Sequence, residues 1–145
     1  MHYADRAVEK LFSDLDARGL LDDTIVVITS DHGEEFGEHG LFGHARSVWD
    51  PVLRVPLILW SGDRTIPAGT RIVEVVSLVD IAPTLLDLLG LDPLDGVSGQ
   101  SLRPLLGGGQ YDPRSVRYAE AEAASGPQVA ARTTRYKWIL SLIHI

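Results

Sequence analysis

The chain has 145 residues, enough for one domain with a sizeable core, and its 45% hydrophobic and 23% charged residues are typical of a folded protein. The net charge of −7 argues against nucleic-acid binding, which needs clustered Lys and Arg to neutralise phosphates. No cysteine is present, which excludes disulfides and thiolate metal sites but leaves the compartment undecided. No apolar run approaches the roughly 20 residues of a spanning helix, so no membrane segment is expected in this chain.

The first half of the chain predicts one helix and two apolar strands. Apolar residues recur at helical spacing over about residues 3–18, and Gly19 supplies the left-handed residue that commonly ends a helix. The continuous β-branched run of residues 25–28 predicts a strand that is covered on both faces, as in the centre of an α/β sheet. "RVPLILW", residues 54–60, predicts a second such strand, with Pro56 near its start, where a missing N–H is tolerated.

The next segment predicts a short strand followed by a helix. "RIVEVVS", residues 71–77, has the β-branched content of a strand. "SLVDIAPTLLDLLG", residues 77–90, has helical periodicity. Ser77 and Asp80 stand at the spacing of a capping box at the start of this helix, and Gly90 is placed to end it.

The last third predicts a surface excursion and then antiparallel strands. Residues 91–113 are rich in Gly, Pro and Asp, which predicts turns at the surface. "SVRYAEAEA" (115–123) and "QVAARTTRYKWIL" (128–140) are predicted to be antiparallel strands that are joined through residues 125–127. We find no internal repeat.

The connection from Asp31 to Leu53 contains the strongest candidates for chemistry. Connections longer than about 12 to 15 residues in compact domains tend to be functional or disordered. Asp31 and His32 directly follow a strand, and in open α/β sheets ligands bind beyond the carboxyl ends of strands. A carboxylate beside a neutral imidazole suits a divalent ion such as Ca, Mn, Mg or Zn, with Gly33 letting the backbone turn sharply beneath the ion. The tripeptide also fits a turn in which Asp31 caps backbone N–H groups and His32 is an ordinary polar residue.

Other ionisable residues of this connection have less specific patterns. His39 and His44 are a second pair, but neither spacing nor composition places them against Asp31, and solvated loop histidines are the alternative. Three carboxylates around one ion would resist an anionic substrate, so the glutamates of the connection are predicted to be surface residues. They are Glu34, Glu35 and Glu38. Four cationic residues could contact an anion or be ordinary surface charges: Arg54, Arg132, Arg135 and Lys137.

Four blocks of the chain recur in the same order in one known family. The first is "TIVVITSDHGEEFGEHGLFGHARSVWDPVLRVPLIL", and the second, "SLVDIAPTLLDLLGL", matches a helix with an Asp-Ile-x-Pro-Thr core. The third, "DGVSGQSLRPLL", matches a Gly-x-Ser-Leu segment, and the fourth, "RTTRYKWI", a late Arg-Thr-x-x-x-Lys strand. From about Asp5 to Ile139 the chain thus resembles the C-terminal half of the catalytic domain of the sulfatase family, within the alkaline-phosphatase-like superfamily.

The resemblance implies an α/β fold, an alkaline-phosphatase-like three-layer sandwich that is present in part, with a small C-terminal antiparallel β element. Residues 1–110 are expected to be the C-terminal part of the catalytic domain, and residues 111–145 truncated strands of the C-terminal subregion. Both ends look cut, and the final "SLIHI" is suspected to lie outside the true gene. The missing N-terminal half of the same domain is therefore an expected partner.

The resemblance also implies roles for individual residues. By position, Asp31 and His32 match the two metal ligands of this half of the family, with His32 where many relatives have Asn. His44 stands where many sulfatases have a Lys that contacts the transferred group, which implies an anion contact or leaving-group protonation. His39 matches a family position without an assignable role, and Trp49–Asp50 replaces a common Tyr-Glu pair with a packing role. The implied cofactor is one divalent ion, Ca first, with Mn, Mg or Zn as the other candidates.

The implied activity is hydrolysis of a sulfuric ester. In the family's reaction a divalent ion polarises an ester oxygen, an activated nucleophile attacks in line, and a general acid assists the leaving group. The nucleophile of true sulfatases, a Cys or Ser of a C/S-x-P-S-R motif oxidised to formylglycine, belongs to the N-terminal half, so this chain alone is expected to be inactive.

Two alternatives to a sulfatase stay open. The first is a phosphoester or phosphonoester hydrolase, or a phosphoglycerol or phosphoethanolamine transferase, on the same fold with Ser or Thr as nucleophile. The second is a non-catalytic protein with a decayed site, against which the intact Asp31-His32-Gly33 argues. The substrate, an anionic sulfate or phosphate ester, is not specified further by the sequence.

Overall fold

The computed structural model describes residues 2–44, 47–107, 109, 111, 116–123 and 126–141. Ser125 of the predicted strand connection and residues 142–145 of the suspect terminus lie outside the described residues. The chain divides into two units, Met1–Ile28 with Leu57–Thr70, and Thr29–Pro56 with Arg71–Ile145.

The described residues form four α-helices, one 3₁₀ turn and seven short strands. In chain order they are α1 (His2–Ala17), β1 (Ile25–Thr29), β2 (Glu35–Phe36), β3 (Phe42–Gly43), α2 (Asp50–Leu53), β4 (Leu57–Ser61), a 3₁₀ turn (Leu78–Asp80), α3 (Ile81–Leu88), α4 (Arg103–Leu106), β5 (Arg117–Ala123), β6 (Gly126–Arg132) and β7 (Lys137–Ser141).

The first unit contains α1 and the paired strands β1 and β4, with only the last residue of β1 outside it. The helix and the two strands are confirmed as elements, but β4 is not covered on both faces as predicted, because Ile58 is 53% exposed. Gly19 follows α1 with φ of 65°, the left-handed conformation expected at a helix end. Phe12 of α1 packs edge to face on Trp60 of β4, with ring centroids 5.0 Å apart. β4 begins directly after Pro56, because proline cannot donate the N–H that a strand pairing needs.

The long connection after β1 is not irregular throughout, because it folds into the antiparallel β2–β3 hairpin and α2. Glu35 pairs with Gly43, and Phe36 pairs with Phe42. Gly33 packs under α2, where its N–H donates to the Val52 carbonyl at 2.7 Å. A Cβ on Gly33 would lie 1.9 Å from the Pro51 carbonyl oxygen. Glycine is therefore needed here for the close approach of two backbones and not, as predicted, for a sharp turn.

The prediction of a strand at residues 71–77 is wrong. These residues form no regular element. Val73 is 81% exposed, and its N–H donates to the Glu74 carboxylate at 3.1 Å instead of to a neighbouring strand. The β-branched residues of this segment therefore have no pairing edge among the described residues to make them a strand.

The predicted helix over residues 77–90 is confirmed as a 3₁₀ turn that continues into α3. The Ser77 N–H donates to the Asp80 carboxylate at 2.8 Å, the interaction expected of a capping box. Gly90 has φ of 65° and follows the helix end.

Part of the predicted surface excursion is buried. Leu102 and Leu106, which flank and end α4, are 3% and 8% exposed. The Leu102 N–H donates to the hydroxyl of buried Thr84 in α3 at 2.9 Å. A Cβ on Gly99 would lie 1.9 Å from the Val79 carbonyl oxygen, so this segment approaches the start of α3 at backbone distance. The surface prediction holds for residues 91–98 and fails for α4.

The C-terminal antiparallel element is confirmed as a three-stranded sheet in the order β5-β6-β7. The segment predicted as one strand over residues 128–140 is two strands, because the chain turns at residues 133–136. The Thr133 N–H donates to the Tyr136 carbonyl at 2.8 Å, and the Thr133 hydroxyl accepts the Tyr136 N–H at 3.0 Å. This turn lacks Gly, Pro, Asn and Asp, so no residue type in it signals a break. Gly126 and Pro127, predicted as the connection, are the first residues of β6.

Candidate metal and anion site

Asp31 and His32 lie just after β1, where the sequence predicted ligand chemistry. The Asp31 side chain is 86% exposed, and its Oδ1 accepts the His32 N–H at 3.0 Å. This hydrogen bond, together with the nearby His32 ring, lowers the pKa of the Asp31 carboxyl below its ordinary value. Asp31 thus caps a backbone N–H, as the turn interpretation expects, and also presents an ionised carboxylate to solvent.

The ring of His32 leaves one nitrogen available to an ion. Its Nδ1 lies 2.9 Å from the Gly33 carbonyl oxygen, which can only accept a hydrogen bond, so Nδ1 is the donor. In the neutral ring this leaves the lone pair on Nε2. Nε2 lies 3.8 Å from Asp31 Oδ1. Protein bonds to divalent ions are about 2.0 to 2.6 Å long, so one ion can bridge two atoms at this separation.

The β2–β3 hairpin brings Glu34 and His44 to the same place. The register that pairs Glu35 with Gly43 continues outward to Glu34 and His44, one position beyond the ladder on each side. The His44 Nδ1 lies 3.1 Å and 3.3 Å from the two carboxylate oxygens of Glu34. The His44 ring stacks on the His32 ring with centroids 4.1 Å apart. His32, Glu34 and His44 each offer a ligand atom within 4.8 Å of the others.

Glu35 does not lie at the surface, so that prediction is wrong. Its side chain is 2% exposed, and both carboxylate oxygens lie 3.1 Å from the His39 Nδ1. The buried Ser47 hydroxyl lies 3.5 Å from one of the same oxygens. Adjacent residues of a strand point to opposite faces, which is why Glu34 reaches the site while Glu35 enters the interior. The surface prediction holds for Glu38, which is exposed, and not fully for Glu34, which is half-buried.

His39 faces a separate cleft together with Trp49 and Asp50. The His39 and Trp49 rings stack with centroids 4.5 Å apart. Asp50 accepts hydrogen bonds from Arg132 at 2.7 Å and from Lys137 at 2.6 Å. Partial burial raises the pKa of the Asp50 carboxyl, but the two cations outweigh it and the net shift is downward. Two of the four cationic candidates are therefore paired in a cleft of about 460 Å³.

Sequence reasoning missed the contact between Glu34 and His44. The available signal was the segment from Phe36 to Phe42, in which two aromatic residues flank a Gly-rich stretch, because this is the pattern of a short hairpin. A hairpin that pairs Phe36 with Phe42 also places Glu34 opposite His44. Of the remaining cationic candidates, Arg135 also lines the cleft that contains Asp50. Arg54 is exposed, and Arg135 lies over the Tyr136 ring at 5.3 Å from its centroid.

Comparison with known protein families shows the family to which the chain belongs. The family model described as Sulfatase matches residues 1–91. The chain belongs to the sulfatase family. Arylsulfatase K of Xenopus laevis is 43% identical over 103 residues, which are 71% of this chain and 19% of that protein. The choline-sulfatase of Rhizobium meliloti is 35% identical over 142 residues, 94% of this chain and 27% of that enzyme.

Solved structures extend the same relationship to the predicted fold. The phosphonate monoester hydrolase of Agrobacterium radiobacter superposes with a TM-score of 0.81 and 28% identity, covering 94% of this chain and 30% of that one. A structure solved in complex with its substrate D-glucosamine-2-N,6-O-disulfate gives a TM-score of 0.79 and 31% identity, covering 97% of this chain and 30% of that one. The predicted α/β fold of the alkaline-phosphatase-like superfamily, present in part, is confirmed.

The chain spans less than a third of the length of these relatives. Within the described part of the chain, no helix has both the length and the apolar content needed to cross a bilayer.

Proposed function

We propose that the full-length protein containing this chain hydrolyses sulfuric esters, and that Asp31 and His32 supply two of the ligands of a divalent ion. The observation that carries this proposal is the open carboxylate of Asp31 at 3.8 Å from a lone-pair nitrogen of His32. The sulfatases similar to this chain, including arylsulfatase K and choline-sulfatase, support the reaction class. The chain would supply the C-terminal half of the catalytic domain, over residues 1–110, with residues 111–145 as strands of the C-terminal subregion.

The donor set of the site fits a hard divalent ion. The carboxylate oxygen of Asp31, with its lowered pKa, suits Ca, Mg or Mn, and the imidazole nitrogen of His32 suits Zn. Ca is the first candidate because of the family resemblance, with Mn, Mg or Zn as the others. When bound, such an ion supplies Lewis-acid polarisation of an ester oxygen and neutralises charge on an anionic substrate. The chain has a net charge of −7, which alone would repel an anionic substrate. A bound divalent cation would offset this repulsion at the site.

His44 is the residue of this chain that we propose meets the substrate. Its ring stacks on His32, so it lies next to the ion ligand, and its Nδ1 faces Glu34. The Nε2 atom is therefore the one available to the substrate. It can donate to an anionic oxygen, or give its proton to the leaving group, when the ring is an imidazolium with a proton on both nitrogens. The chain contains no C/S-x-P-S-R motif, so the 145-residue polypeptide alone is expected to show no turnover.

A phosphonate or phosphate ester hydrolase is the second candidate. The phosphonate monoester hydrolase of Agrobacterium radiobacter superposes on this chain with a TM-score of 0.81, against 0.79 for the structure bound to the disulfated glucosamine. Sulfate and phosphonate monoesters both present anionic oxygens to a metal and a histidine, so this half-site serves either. The nucleophile and its surroundings in the missing half would decide between them.

The test uses the full-length enzyme with an aryl sulfate and an aryl phosphonate monoester as parallel substrates. A sulfatase turns over the sulfate with the higher kcat/KM, and the opposite preference moves the assignment to phosphonate hydrolysis. Asp31→Ala and His32→Ala are expected to lose bound metal and activity together. The control is Asp95→Ala, an exposed aspartate outside the site, which should retain both. An Asp31→Ala enzyme with full metal content and activity would refute the ligand assignment.

A further inference from the structure

The two adjacent glutamates at the start of the hairpin have opposite environments. Glu35 pairs with Gly43 in the ladder and points into the interior, where it meets His39 and Ser47. Glu34 precedes it by one position and therefore points to the other face, toward His44. The Glu34 side chain is 36% exposed and that of Glu35 is 2% exposed. One glutamate thus anchors the hairpin, and the other is free to act at the site.

The contact between Glu34 and His44 fixes which ring nitrogen is used. An ionised carboxylate can only accept hydrogen bonds, so the His44 Nδ1 must be the donor in this pair. Both carboxylate oxygens lie within 3.3 Å of the same Nδ1 atom. The ring is thereby held with Nδ1 toward Glu34, and Nε2 is the remaining functional atom.

Two further contacts restrict the ring and the carboxylate. His44 stacks on His32 at 4.1 Å with an interplanar angle of 27°, which limits rotation of the imidazole about its Cβ–Cγ bond. Glu34 follows Gly33, whose backbone is tied to the Val52 carbonyl, and precedes the buried Glu35. The carboxylate of Glu34 is therefore presented from a backbone that is anchored on both sides.

We propose that Glu34 is a positioning residue, whose carboxylate holds the Nδ1 of His44 so that Nε2 faces the anionic group or leaving oxygen of the substrate. The inference rests on the proposed function of His44 and adds the residue that orients it. A histidine that contacts a reacting group needs its other nitrogen to be held, because a freely rotating ring presents Nε2 in the right direction only part of the time.

Direct binding of the metal ion is the alternative role for Glu34, and it predicts a different effect on the metal content. One oxygen of its carboxylate lies within 4.8 Å of a ring nitrogen of His32 and of His44, so it could instead bind the ion directly. A positioning residue acts only through His44 and leaves the ion in place. A ligand would lower the metal content whether or not His44 is present.

The experiment is a double-mutant cycle in the full-length enzyme, with Glu34→Ala, Glu34→Gln, His44→Ala and the Glu34→Ala/His44→Ala double variant. Glu34→Ala is expected to lower kcat by about 10- to 100-fold, by analogy with the loss of a hydrogen-bond partner of a metal-ligating histidine, and to leave the bound metal unchanged. Glu34→Gln retains a neutral acceptor for Nδ1–H and is expected to lose less. In the His44→Ala background, Glu34→Ala should cause no further loss.

The matched control is Glu38→Gln on the same hairpin. The Glu38 carboxylate accepts the Phe36 N–H at 2.7 Å, and glutamine retains an acceptor for that bond, so kcat and KM should be unchanged. Additive losses in the double variant would overturn the proposal, because Glu34 would then act independently of His44. Loss of metal in Glu34→Ala would also overturn it and would make Glu34 a ligand.

A readout without turnover separates this inference from the proposed reaction. The ¹⁵N chemical shifts of the His44 ring in the full-length protein, without substrate, report which nitrogen carries the proton. The inference requires a protonated, hydrogen-bonded Nδ1 that changes in Glu34→Ala and is unchanged in Glu38→Gln. The same His44 spectrum in all three proteins would overturn it, even if the enzyme proves to be a sulfatase. A change in Glu34→Ala would support the positioning role even if sulfate esters prove to be the wrong substrate.

Discussion

Asp31 and Asp80 are both aspartates of the second unit, but their surroundings differ in almost every respect. Asp80 is 1% exposed, and its two oxygens accept the N–H groups of Ser77 and Gln100 at 2.8 Å and 3.0 Å. Arg117 completes the set at 3.4 Å. Asp31 is 86% exposed and receives one backbone N–H and a distant hydroxyl. A buried carboxylate whose oxygens all accept hydrogen bonds holds elements together, while an exposed carboxylate with unused lone pairs can bind a metal ion.

The largest expected loss of stability is at Asp80, the buried aspartate. Asp80→Ala leaves Arg117, whose side chain is 16% exposed, without its carboxylate and removes the acceptor for two backbone N–H groups. Breaking a buried ion pair from one side costs about 3 to 5 kcal/mol in free energy of unfolding. Urea unfolding of the 145-residue chain measures it, with Asp87→Ala as control, because the pair that Asp87 forms with Arg103 is exposed. Equal unfolding midpoints for the two variants would contradict the structural role of Asp80.

The next effect tests the buried glutamate of the hairpin. Glu35→Ala leaves the His39 Nδ1 and the Ser47 hydroxyl without their shared acceptor, and loss of such a buried partner costs about 1 to 3 kcal/mol. The surface position expected from the sequence would instead mean little change. Urea unfolding again provides the measurement, and Glu38→Gln on the same hairpin is the control. An unfolding curve for Glu35→Ala that overlays that of the control would show that Glu35 does not anchor β2.

A smaller, pH-dependent effect is expected at Asp50, which lies between the two extremes of burial. Its folded pKa is below the ordinary 3.8, so its pairing with Lys137 and Arg132 stabilises the chain above that pH. This contribution is lost as the pH falls through the lower folded value. Asp50→Asn should therefore flatten the acid limb of a plot of unfolding free energy against pH between about pH 5 and 2. The effect is modest because the pair is partly exposed. If the unfolding free energies of the original chain and of Asp50→Asn fall equally with pH, the pairing of Asp50 with Lys137 and Arg132 does not contribute to stability.

The smallest effect on stability is expected at Asp31, the exposed aspartate. Asp31→Ala removes a solvated carboxylate and should leave the urea midpoint of the 145-residue chain unchanged. If the proposed full-length enzyme exists as we infer, the same change removes its metal. Asp31→Ala then affects metal binding and not stability, whereas Asp80→Ala affects stability. A large loss of stability in Asp31→Ala would make this residue structural and would remove the contrast.

The sequence predicted the regular elements whose signal is local. α1, β1, β4 and α3 follow from periodicity, β-branched runs and capping residues, and each is present. The errors come from contacts between segments that are distant in sequence. The strand predicted at residues 71–77 has no partner edge among the described residues. Buried Leu102, just before α4, donates its N–H to Thr84, which is 18 residues away in the sequence.

The candidate site was predicted in part, for the same reason. Asp31 and His32 were found because they follow a strand directly, and their role as ligands stays a prediction. The proximity of His44 to His32 required the hairpin register, which is a property of two segments and not of one motif. The opposite orientation of Glu34 and Glu35 follows from strand geometry, but only once both are known to lie at the hairpin.

The shortness of the β2–β3 ladder limits which insertions and deletions the chain can accept. The tip over residues 37–41 is closed by a hydrogen bond from the Gly37 N–H to the Leu41 carbonyl at 2.8 Å and contributes no side chain to the site. Extra residues added there would lengthen the tip and leave the paired positions in place. One residue added between Gly33 and Glu35 would instead exchange the inward and outward positions of β2. Length variation among homologues with a working site should therefore concentrate at the tip and be absent from its base.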